Sequence, residues 1–514
     1  MTPDTKTPIR EFLENLKQAP RHIRESALRN GKMPETDRER SQSTFHNLFL
    51  HLQSVRTDRR SLRFGYTFGL GLILTASFVV LTITGILLMV YYKPGVELAY
   101  NSVKDIHFVV PAGRFIRNIH RWSAHLMVLA AFLHMARVFY TGSYKRPREF
   151  NWLIGLALLV FTLGLSFTGY LLPWDQLAYW AITIGANIAS SPREVTDAIG
   201  ITAWFDPGTF QKQLLLGANY VGQESLIRFY VLHVAVLPLL ISAFMGLHFW
   251  RVRKDGGLSR DESKPPPPAR IGDRDVEVFA PTKTYGLMAV VRGRTPEVGR
   301  APEGSVSSWP NLLWAEMAAF MFTIALTLVL SYFFDAPLKE MANPAIPENP
   351  AKAPWYFLGL QELVSYSAFM GGVGIPSIVL IGLGLIPYLD RDPRGVGIWF
   401  GGPAGRRTFW QSLVYGLTSV LGLLALTVNF GWLRTWFPTI PQIAIIILNP
   451  ATVIVAMYSA WSLWVLRRTG SIRMSAIALF TCFLAGFVVL TAMGSIFRGP
   501  NWHFYWWPSQ WPTH

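Results

Sequence analysis

Long apolar stretches, separated by short clusters of charged residues, run through most of the chain. Each stretch is near or above the roughly 18 residues that a helix needs to cross the hydrocarbon layer of a bilayer. The recurrence of such runs in a chain of 514 residues with 51% hydrophobic content excludes a soluble globular protein. The pattern predicts an all-α polytopic membrane protein with nine spans, at residues 64–92, 116–140, 150–172, 229–250, 312–334, 371–389, 408–433, 441–466 and 474–497.

The basic residues indicate how the spans are oriented. They cluster before the first span, between the second and third, and after the fourth, and the positive-inside rule places these ends in the cytoplasm. We therefore expect a multi-pass protein of the cytoplasmic (inner) membrane of a prokaryote, with a cytoplasmic N-terminus and an outer C-terminus. The second and fourth spans then run in the same direction.

The composition of the connecting segments predicts five regions. Residues 1–63 form an extramembrane arm, in which residues 45–52 are either an amphipathic surface helix or a simple packing helix. Residues 173–228, between the third and fourth spans, are expected to form helices on the outer surface. The predicted regions are the arm at 1–63, a four-helix bundle at 64–252, a proline-rich cytoplasmic linker at 253–311, a second membrane domain at 312–392, and further spans with an outer tail at 393–514.

The second span carries histidines, which are rare within a membrane and indicate a function there. His120 and His134 are 14 residues apart, which in a helix corresponds to about 21 Å and about 40° off one face. Two axial ligands for two stacked cofactors have this arrangement. His125 lies about 140° from His120 around the helix, so we interpret it as a packing or hydrogen-bonding residue.

The fourth span supplies a matching pair, His233 and His248, spaced by 15 residues. Because the two spans are parallel, His120 is expected to meet His233 near the outer side, and His134 to meet His248 near the inner side. Two b-type haems, each bound to iron by two histidines, fit this pattern, since the single cysteine, Cys482, lies in another segment. A tetrahedral zinc site fits less well, because the four histidines form two separate pairs. Another class of protein, a haem-free transporter, would use the histidines as proton relays.

Glycines in the first and third spans repeat the same interval. Gly71 and Gly85 are 14 residues apart, as are Gly155 and Gly169. The equal spacing suggests a gap for each haem face, although glycines also serve close helix packing in membranes.

Charge and cysteine content exclude several classes of function. The lysines and arginines that give the net charge of +16 lie in loops between apolar segments. The charge therefore reflects membrane topology and predicts no nucleic-acid partner. One cysteine excludes an internal disulfide, an iron–sulfur cluster held by this chain, and a haem attached through a CxxCH motif. The polar first 60 residues contain no apolar core typical of a signal peptide.

Four sequence stretches, IHRWSAH, GSYKRPREFNW, GYLLPWDQLAYWA and RFYVLHVAVLPLL, resemble the cytochrome b subunit of cytochrome bc complexes. The resemblance covers roughly residues 62–260 and is closer to the form of oxygenic photosynthesis, in which the second histidine pair is also spaced by 15. Residues 312–392 resemble the family's C-terminal part, which is a separate subunit in the photosynthetic form and is fused here.

The resemblance implies roles for further residues. Arg117 and Arg137 would pair with haem propionates, and Arg251 and Asp255 would border an inner quinone-reduction pocket. An outer quinol-oxidation pocket would be lined by three groups of residues. They are Tyr170, then Pro173 and Trp174 of the PWDQ segment, and then Pro354, Trp355 and Tyr356 of the stretch that corresponds to the family's PEWY motif.

The chain departs from the family in two places. Gly69 occupies the position of the cysteine that attaches an extra haem in the photosynthetic form, so that thioether link is absent. Pro354 occupies the position of the PEWY glutamate, which accepts a quinol proton in the family. Glu362 is the expected replacement acceptor, although it would lie about 12 Å further along the helix and about 80° around it. Its rivals are Asp175, Glu340 and Glu348, and Glu362 could also be a helix-end surface residue.

The function that the resemblance implies is quinol oxidation in respiratory electron transport. One electron would leave through a Rieske-type iron–sulfur protein to a c-type cytochrome or similar acceptor, and the other would cross through the two haems to the inner quinone site. Proton release outside and uptake inside would make the complex a proton-translocating oxidoreductase, a dimeric multi-subunit assembly in the lipid bilayer. The alternative is the dihaem membrane anchor of another quinone-linked enzyme, of the hydrogenase or formate dehydrogenase type.

Overall fold

The structure is a computed structural model, and it describes residues 8–28, 34–46, 50–261 and 304–512. Almost all of its regular structure is helical, which confirms the predicted all-α membrane fold. The helices are α1 Pro8–Leu28, α2 Asp37–His46, α3 Phe64–Thr67, α4 Leu70–Met89, α5 Ala99–Phe108, α6 Gly113–Tyr140, α7 Glu149–Leu171, α8 Gln176–Ser190, α9 Pro192–Ala198, α10 Pro207–Leu216, α11 Gln223–Val231, α12 Leu237–Lys254, α13 Ser308–Phe333, α14 Trp355–Val364, α15 Ile375–Leu389, α16 Pro403–Phe430, α17 Leu433–Trp436, α18 Gln442–Ile447, α19 Pro450–Thr469 and α20 Ile472–Ala492.

Eight helical segments of the described residues are long and apolar enough to cross a membrane. They are Leu70–Met89, Gly113–Tyr140, Glu149–Leu171, Gln223–Lys254, Ser308–Phe333, Met370–Leu389, Pro403–Trp436 and Ile472–Phe497. The helix α19 has 20 residues but is not among them, so the ninth span stays a prediction. That helix begins at Pro450 rather than at residue 441, because Asn449 caps it by accepting a hydrogen bond from the Thr452 amide.

The first four spans form a bundle in two packed pairs. The helix α4 lies along α6, and α7 lies along α12, while α6 and α7 also contact each other. The predicted helices between the third and fourth spans are α8 to α10, and they cover one end of the bundle. Their core there contains Leu171, Ile182 and Leu226, each fully buried.

The fourth span contains a π-helical turn at Leu232–Val236, between α11 and α12. Its ladder bond runs from the Leu237 amide to the Leu232 carbonyl, five residues back, and Pro238 follows at once. Proline lacks an amide hydrogen and cannot continue the normal α-helical ladder. A π turn inserts one extra residue without advancing the helix, so 15 residues here cover about the rotation that 14 cover in a regular helix.

The second half of the chain packs against the bundle through α13, which contacts both α4 and α6. A two-stranded antiparallel sheet, β1 Arg56–Asp58 and β2 Ser305–Ser307, joins the segments that precede the two halves, with Thr57 opposite Val306. The last long helices, α16, α19 and α20, pack together, and α20 also contacts α14. Cys482 is buried in their core.

Two predicted segments fall partly outside the described residues. The linker at 253–311 is described only at its two ends, and its proline run lies outside them. The stretch 45–52 is described as the end of α2 and the short 3-10 turn Leu50–Leu52, without residues 47–49 between them.

Candidate functional site

The four histidines of the second and fourth spans meet as two pairs. The imidazole centroids of His120 and His233 are 6.2 Å apart, and those of His134 and His248 are 6.5 Å apart. Two imidazoles on opposite sides of one metal ion would have centroids about 6.3 Å apart, given metal–nitrogen distances of about 2.0 Å. The pairing is the one expected from parallel spans. Within the described residues no cluster of three or more His, Cys, Asp or Glu could hold a metal, so each pair supplies only two ligands.

Both histidines of the outer pair have hydrogen-bond partners at Nδ1. His120 Nδ1 lies 2.9 Å from Thr84 Oγ1, and that hydroxyl donates its own hydrogen to the Val80 carbonyl. His233 Nδ1 lies 3.1 Å from the Leu165 carbonyl, which can only accept. A histidine that donates from Nδ1 presents an unprotonated Nε2, which is the form that ligates a metal.

The inner pair is less constrained. Nδ1 of His134 has no hydrogen-bond partner among the described residues. His248 approaches the Asn151 carbonyl but forms no well-aligned hydrogen bond with it. The rings of this pair are therefore held mainly by packing.

Each predicted glycine lies against one of the histidines. A Cβ at Gly85 would lie 3.3 Å from His120 Cε1, and a Cβ at Gly169 would lie 2.5 Å from His233 Cε1. On the inner side the matching distances are 3.6 Å from Gly71 to His134 and 3.7 Å from Gly155 to His248. The assignment of Gly85 and Gly169 to the outer pair agrees with these contacts. Only Gly169 is so close to its histidine that any side chain would collide with the imidazole.

The two arginines that the resemblance assigns to propionates differ in their surroundings. Arg117 donates to the carbonyls of Ala336 and Pro337, so its guanidinium ties α6 to the segment after α13. Arg137 donates from Nε to the Tyr66 carbonyl and stacks 4.4 Å above the Tyr66 ring. Its Nη2 is buried and has no partner among the described residues. Arg137 therefore retains a free donor for an anionic group beside the inner pair.

The PWDQ segment is fixed to the chain that precedes α14. Asp175 caps α8 by accepting a hydrogen bond from the Ala178 amide, and it also accepts one from the Lys339 amide. The Trp174 carbonyl accepts from the Ala342 amide, which joins the two halves of the protein at this end. Burial raises the pKa of Asp175 above its ordinary value, although these amides oppose the shift.

The aromatic residues predicted for the outer pocket gather around α6 and α14. The Arg121 guanidinium lies 5.8 Å from the Tyr170 ring centroid. Trp355 donates a hydrogen bond from Nε1 to His125 Nδ1, at 3.1 Å, and the Tyr356 ring lies 6.0 Å from the His125 ring. His125 is thus the hydrogen-bonding residue that helix geometry predicted. Pro354 is buried immediately before α14 and caps nothing with its side chain.

Glu362 is fully buried but lies in an ion pair. Its carboxylate accepts hydrogen bonds from Arg498 Nε at 3.0 Å and from Trp502 Nε1 at 3.0 Å, and Arg498 Nη2 forms the ion pair with Oε1. The possibility that Glu362 is a surface residue is therefore wrong. Protonation would break the ion pair and leave the Arg498 charge buried, so these surroundings argue against Glu362 as a proton acceptor. Its catalytic role stays a prediction.

The inner residues Arg251 and Asp255 form a salt bridge of 2.9 Å, one helical turn apart at the end of α12. Asp255 Oδ2 and Arg251 Nε are buried without partners among the described residues. Both groups therefore have hydrogen-bonding capacity left for a polar ligand.

The chain is similar to a family model, to known proteins and to a solved structure. The family model described as Cytochrome b/b6/petB matches residues 57–256. Cytochrome b6 of Heliobacterium mobile is 48% identical over 187 residues, 36% of this chain and 82% of that protein. Cytochrome b6 of Prochlorococcus marinus (strain MIT 9303) is 44% identical over 187 residues, 36% of this chain and 80% of that protein.

The chain belongs to the cytochrome b/b6 family. It is accordingly a haem b-binding membrane protein and a subunit of a quinol oxidoreductase of the bc type. A solved structure described as a hyperthermophilic respiratory Complex III is similar over 82% of this chain and 92% of that chain, with a TM-score of 0.56 and 24% identity. That similarity extends the shared fold well beyond the part that the b6 proteins match.

Sequence reasoning missed the groups that orient the functional side chains. The spacing of 15 together with Pro238 could have indicated an irregular turn here, since proline interrupts the α-helical hydrogen-bond ladder. Thr84 and Leu165 carry no recognisable signal, because one is a common helix-interior hydroxyl and the other acts through its backbone. Arg498 is more than a hundred residues from Glu362 in the sequence, and only the fold brings them together.

Proposed function

We propose that this chain is the cytochrome b subunit of a quinol:cytochrome c reductase, or of a reductase with a similar acceptor. The observation that carries the proposal is the two histidine pairs along two parallel helices. The ring centroids within the pairs are 6.2 and 6.5 Å apart, and a glycine lies against every ring. This arrangement fits two b-type haems, one above the other across the membrane.

The residues of the chain would divide the task as follows. His120 and His233 hold the outer haem, and His134 and His248 hold the inner haem. Arg137, whose Nη2 has no partner among the described residues, would pair with an inner propionate. Arg117 is already bonded to backbone carbonyls, so it would position α6 more than neutralise charge. Each haem, when bound, supplies reversible one-electron transfer. The protein then determines the position of each haem and the access of quinol and water.

Two substrate pockets are proposed at opposite ends. The outer, quinol-oxidising pocket is bounded by Tyr170, Pro173, Trp174 and the Pro354–Trp355–Tyr356 stretch. The inner, quinone-reducing pocket borders Arg251 and Asp255, whose remaining hydrogen-bonding atoms suit a quinone oxygen. Tyr356 and Trp355 present the aromatic surface that a quinol ring packs against.

The second electron acceptor must be another protein. The chain has a single cysteine and so cannot hold an iron–sulfur cluster itself. We infer a Rieske-type partner and a c-type cytochrome acceptor in a dimeric, proton-translocating complex. It would lie in the inner membrane of a prokaryote, with the N-terminus on the cytoplasmic side, as the basic loops suggest.

The alternative is the dihaem anchor of a hydrogenase or formate dehydrogenase. The hydrogen bonds between the PWDQ segment and residues 339–342 favour the reductase, because they fix the residues of the proposed outer pocket in place, whereas an anchor needs only a path for electrons.

The test is a purification of the complex from its own membranes. We expect two b haems per chain in the reduced-minus-oxidised spectrum and a co-purifying Rieske-type protein. We also expect an added short-chain quinol to reduce haem b through the outer pocket only while the iron–sulfur protein is oxidised. Co-purification of a molybdenum or nickel enzyme would establish the anchor instead. A haem-free preparation that still transports protons would refute both.

A further inference from the structure

Oxidation of a quinol to a quinone breaks two O–H bonds, so the outer pocket needs a group that takes up a proton. The Pro354 side chain has no titratable group and cannot serve. A suitable acceptor is a base within reach of the pocket that is not held in an ion pair. The need for such a base rests on the proposed quinol-oxidising function.

Three of the four candidate carboxylates are already engaged. Glu362 is paired with Arg498, and Asp175 accepts two backbone amides that hold α8 to the 339–342 segment. Glu348 forms a salt bridge with Lys339, and Glu340 is exposed. Protonation of any of the first three would break a contact that organises the pocket.

His125 is different, since its bonded partner is an uncharged indole. It is partly exposed on α6 between Trp122, at 5.5 Å between ring centroids, and Tyr356, at 6.0 Å. Trp355 Nε1 donates to its Nδ1 at 3.1 Å. His125 thus contacts both aromatic residues of the stretch that has lost its glutamate.

The hydrogen bond also defines the protonation state. An indole N–H can only donate, so His125 Nδ1 must be an acceptor and carry no proton. The imidazole is therefore a neutral base whose lone pair is held toward α14. A quinol hydroxyl can replace the indole as the donor to that nitrogen without breaking an ion pair.

We propose that His125 is the proton acceptor for quinol oxidation in the outer pocket and takes the place of the glutamate that Pro354 replaces. In the step, a quinol O–H bond breaks and an N–H bond forms at His125 Nδ1, giving the imidazolium. The two electrons of the quinol would go to one-electron acceptors, the inferred iron–sulfur partner and the outer b haem that His120 and His233 would hold. The other hydroxyl proton of the quinol goes toward the iron–sulfur partner, together with the electron that this partner accepts. Solvent then takes the proton from the imidazolium and restores the base.

The charged and titratable groups around His125 are few. Among the described residues they include Arg121 on α6 and Tyr356 on α14, and Arg121 in turn lies 5.8 Å from the Tyr170 ring on α7. On the α13 side, Asp335 is paired with Arg114 at the outer end of α6. Because only the neutral imidazole accepts a proton, quinol oxidation should slow as the pH falls through the titration of His125 and reach a plateau above it.

The test is His125→Asn in the intact complex. Asparagine Oδ1 can still accept the Trp355 hydrogen bond, but it does not titrate. We expect both haems bound with unchanged spectra, full reduction of the haems from the inner quinone side, and a fall of about 100-fold in quinol-driven haem reduction. The acid limb of the pH–rate profile should disappear. Adding Pro354→Glu to His125→Asn should restore most of the rate, with an acid limb at lower pH.

His503→Gln, at an exposed histidine of the outer tail, is the matched control and should leave the profile unchanged. If His125→Asn loses haem, His125→Gln provides the same test with a longer side chain. Normal turnover with an unchanged acid limb in either variant would overturn the proposal. Failure of the unmodified complex to reduce its haems with quinol would instead count against the proposed function.

Discussion

The outer and inner histidine pairs share one plan but differ in how firmly the protein holds them. At the outer pair both Nδ1 atoms are bonded, to Thr84 and to the Leu165 carbonyl, and one glycine leaves no space for a methyl group. At the inner pair neither Nδ1 has a well-formed bond, and both glycines lie at ordinary contact distance. The outer site is therefore preorganised, whereas the inner site depends more on its cofactor for order.

Each end of the molecule also contains a buried ion pair, and the two pairs differ in their exposure to solvent. The outer end is fixed by Glu362 and Arg498, which join α14 to the segment after α20. The inner end is fixed by Lys145 and Asp390, 3.2 Å apart, with Tyr144 donating to the same carboxylate. Both clusters are buried, but the inner one is more completely removed from solvent, with side-chain exposures of 3% and 1% against 10% and 0%.

The largest expected effect is loss of one haem. Replacing His134 or His248 with leucine should remove the same inner haem, and replacing His120 or His233 should remove the outer one, because one ligand of each iron is lost. Haem quantitation and low-temperature difference spectra measure the outcome. If His134 and His248 variants lost opposite spectral components, the pairing and the comparison built on it would be wrong.

The next effect concerns the two buried ion pairs. Asp390→Asn leaves the Lys145 charge unpaired, and Glu362→Gln leaves Arg498 unpaired, at a cost of about 3–5 kcal/mol each. We expect the larger drop in melting temperature for Asp390→Asn, in detergent-solubilised complex, because that pair is drier. Asp392→Asn, which breaks an exposed pair with Arg394, is the control and should change nothing measurable. Equal melting temperatures for all three variants would contradict the ranking.

A smaller effect is expected from a methyl group beside the rings. Gly169→Ala places a Cβ 2.5 Å from His233 and should disturb the outer haem by about 1–3 kcal/mol of overpacking. The matched change on the same helix, Gly155→Ala, places its Cβ 3.7 Å from His248 and should be tolerated. Redox titration of both haems distinguishes the two sites. Larger variants, Gly169→Leu and Gly85→Leu, should impair assembly of the outer haem. Equal effects at the two ends would mean that these glycines serve ordinary helix packing.

The smallest effect should come from Thr84→Val, which removes the acceptor of His120 Nδ1. One lost hydrogen bond is worth about 1 kcal/mol, so haem stays bound and only the outer midpoint potential shifts. Thr82→Val, at an exposed threonine two residues away on the same helix, is the control. An unshifted outer potential in Thr84→Val would mean that the hydroxyl does not orient His120 once haem is present.

Periodicity and spacing predicted the parts of the site that lie along single helices. The 14-residue intervals of His120 and His134, and of the four glycines, follow from helix geometry, and the structure brings each glycine to a histidine. The basic clusters predicted the parallel spans, and with them which histidine meets which. The interval of 15 predicts that His233 and His248 form a ligand pair on one helix. The π turn before Pro238 is what brings the two histidines to the same helix face.

What the sequence by itself determined is eight of the nine predicted apolar spans, the two histidine pairs and the four helices of the bundle, because these depend on patterns of residues within single helices. Only the tertiary structure decided the partners across helices: Thr84 for His120, Arg498 and Trp502 for Glu362, and Trp355 for His125. Such contacts join residues tens to hundreds of positions apart, and the direction of a side chain across a helix interface depends on how the helices pack. The assignment of Glu362 to proton chemistry rested on sequence proximity to Pro354, whereas His125 comes close to the same stretch only in the folded chain.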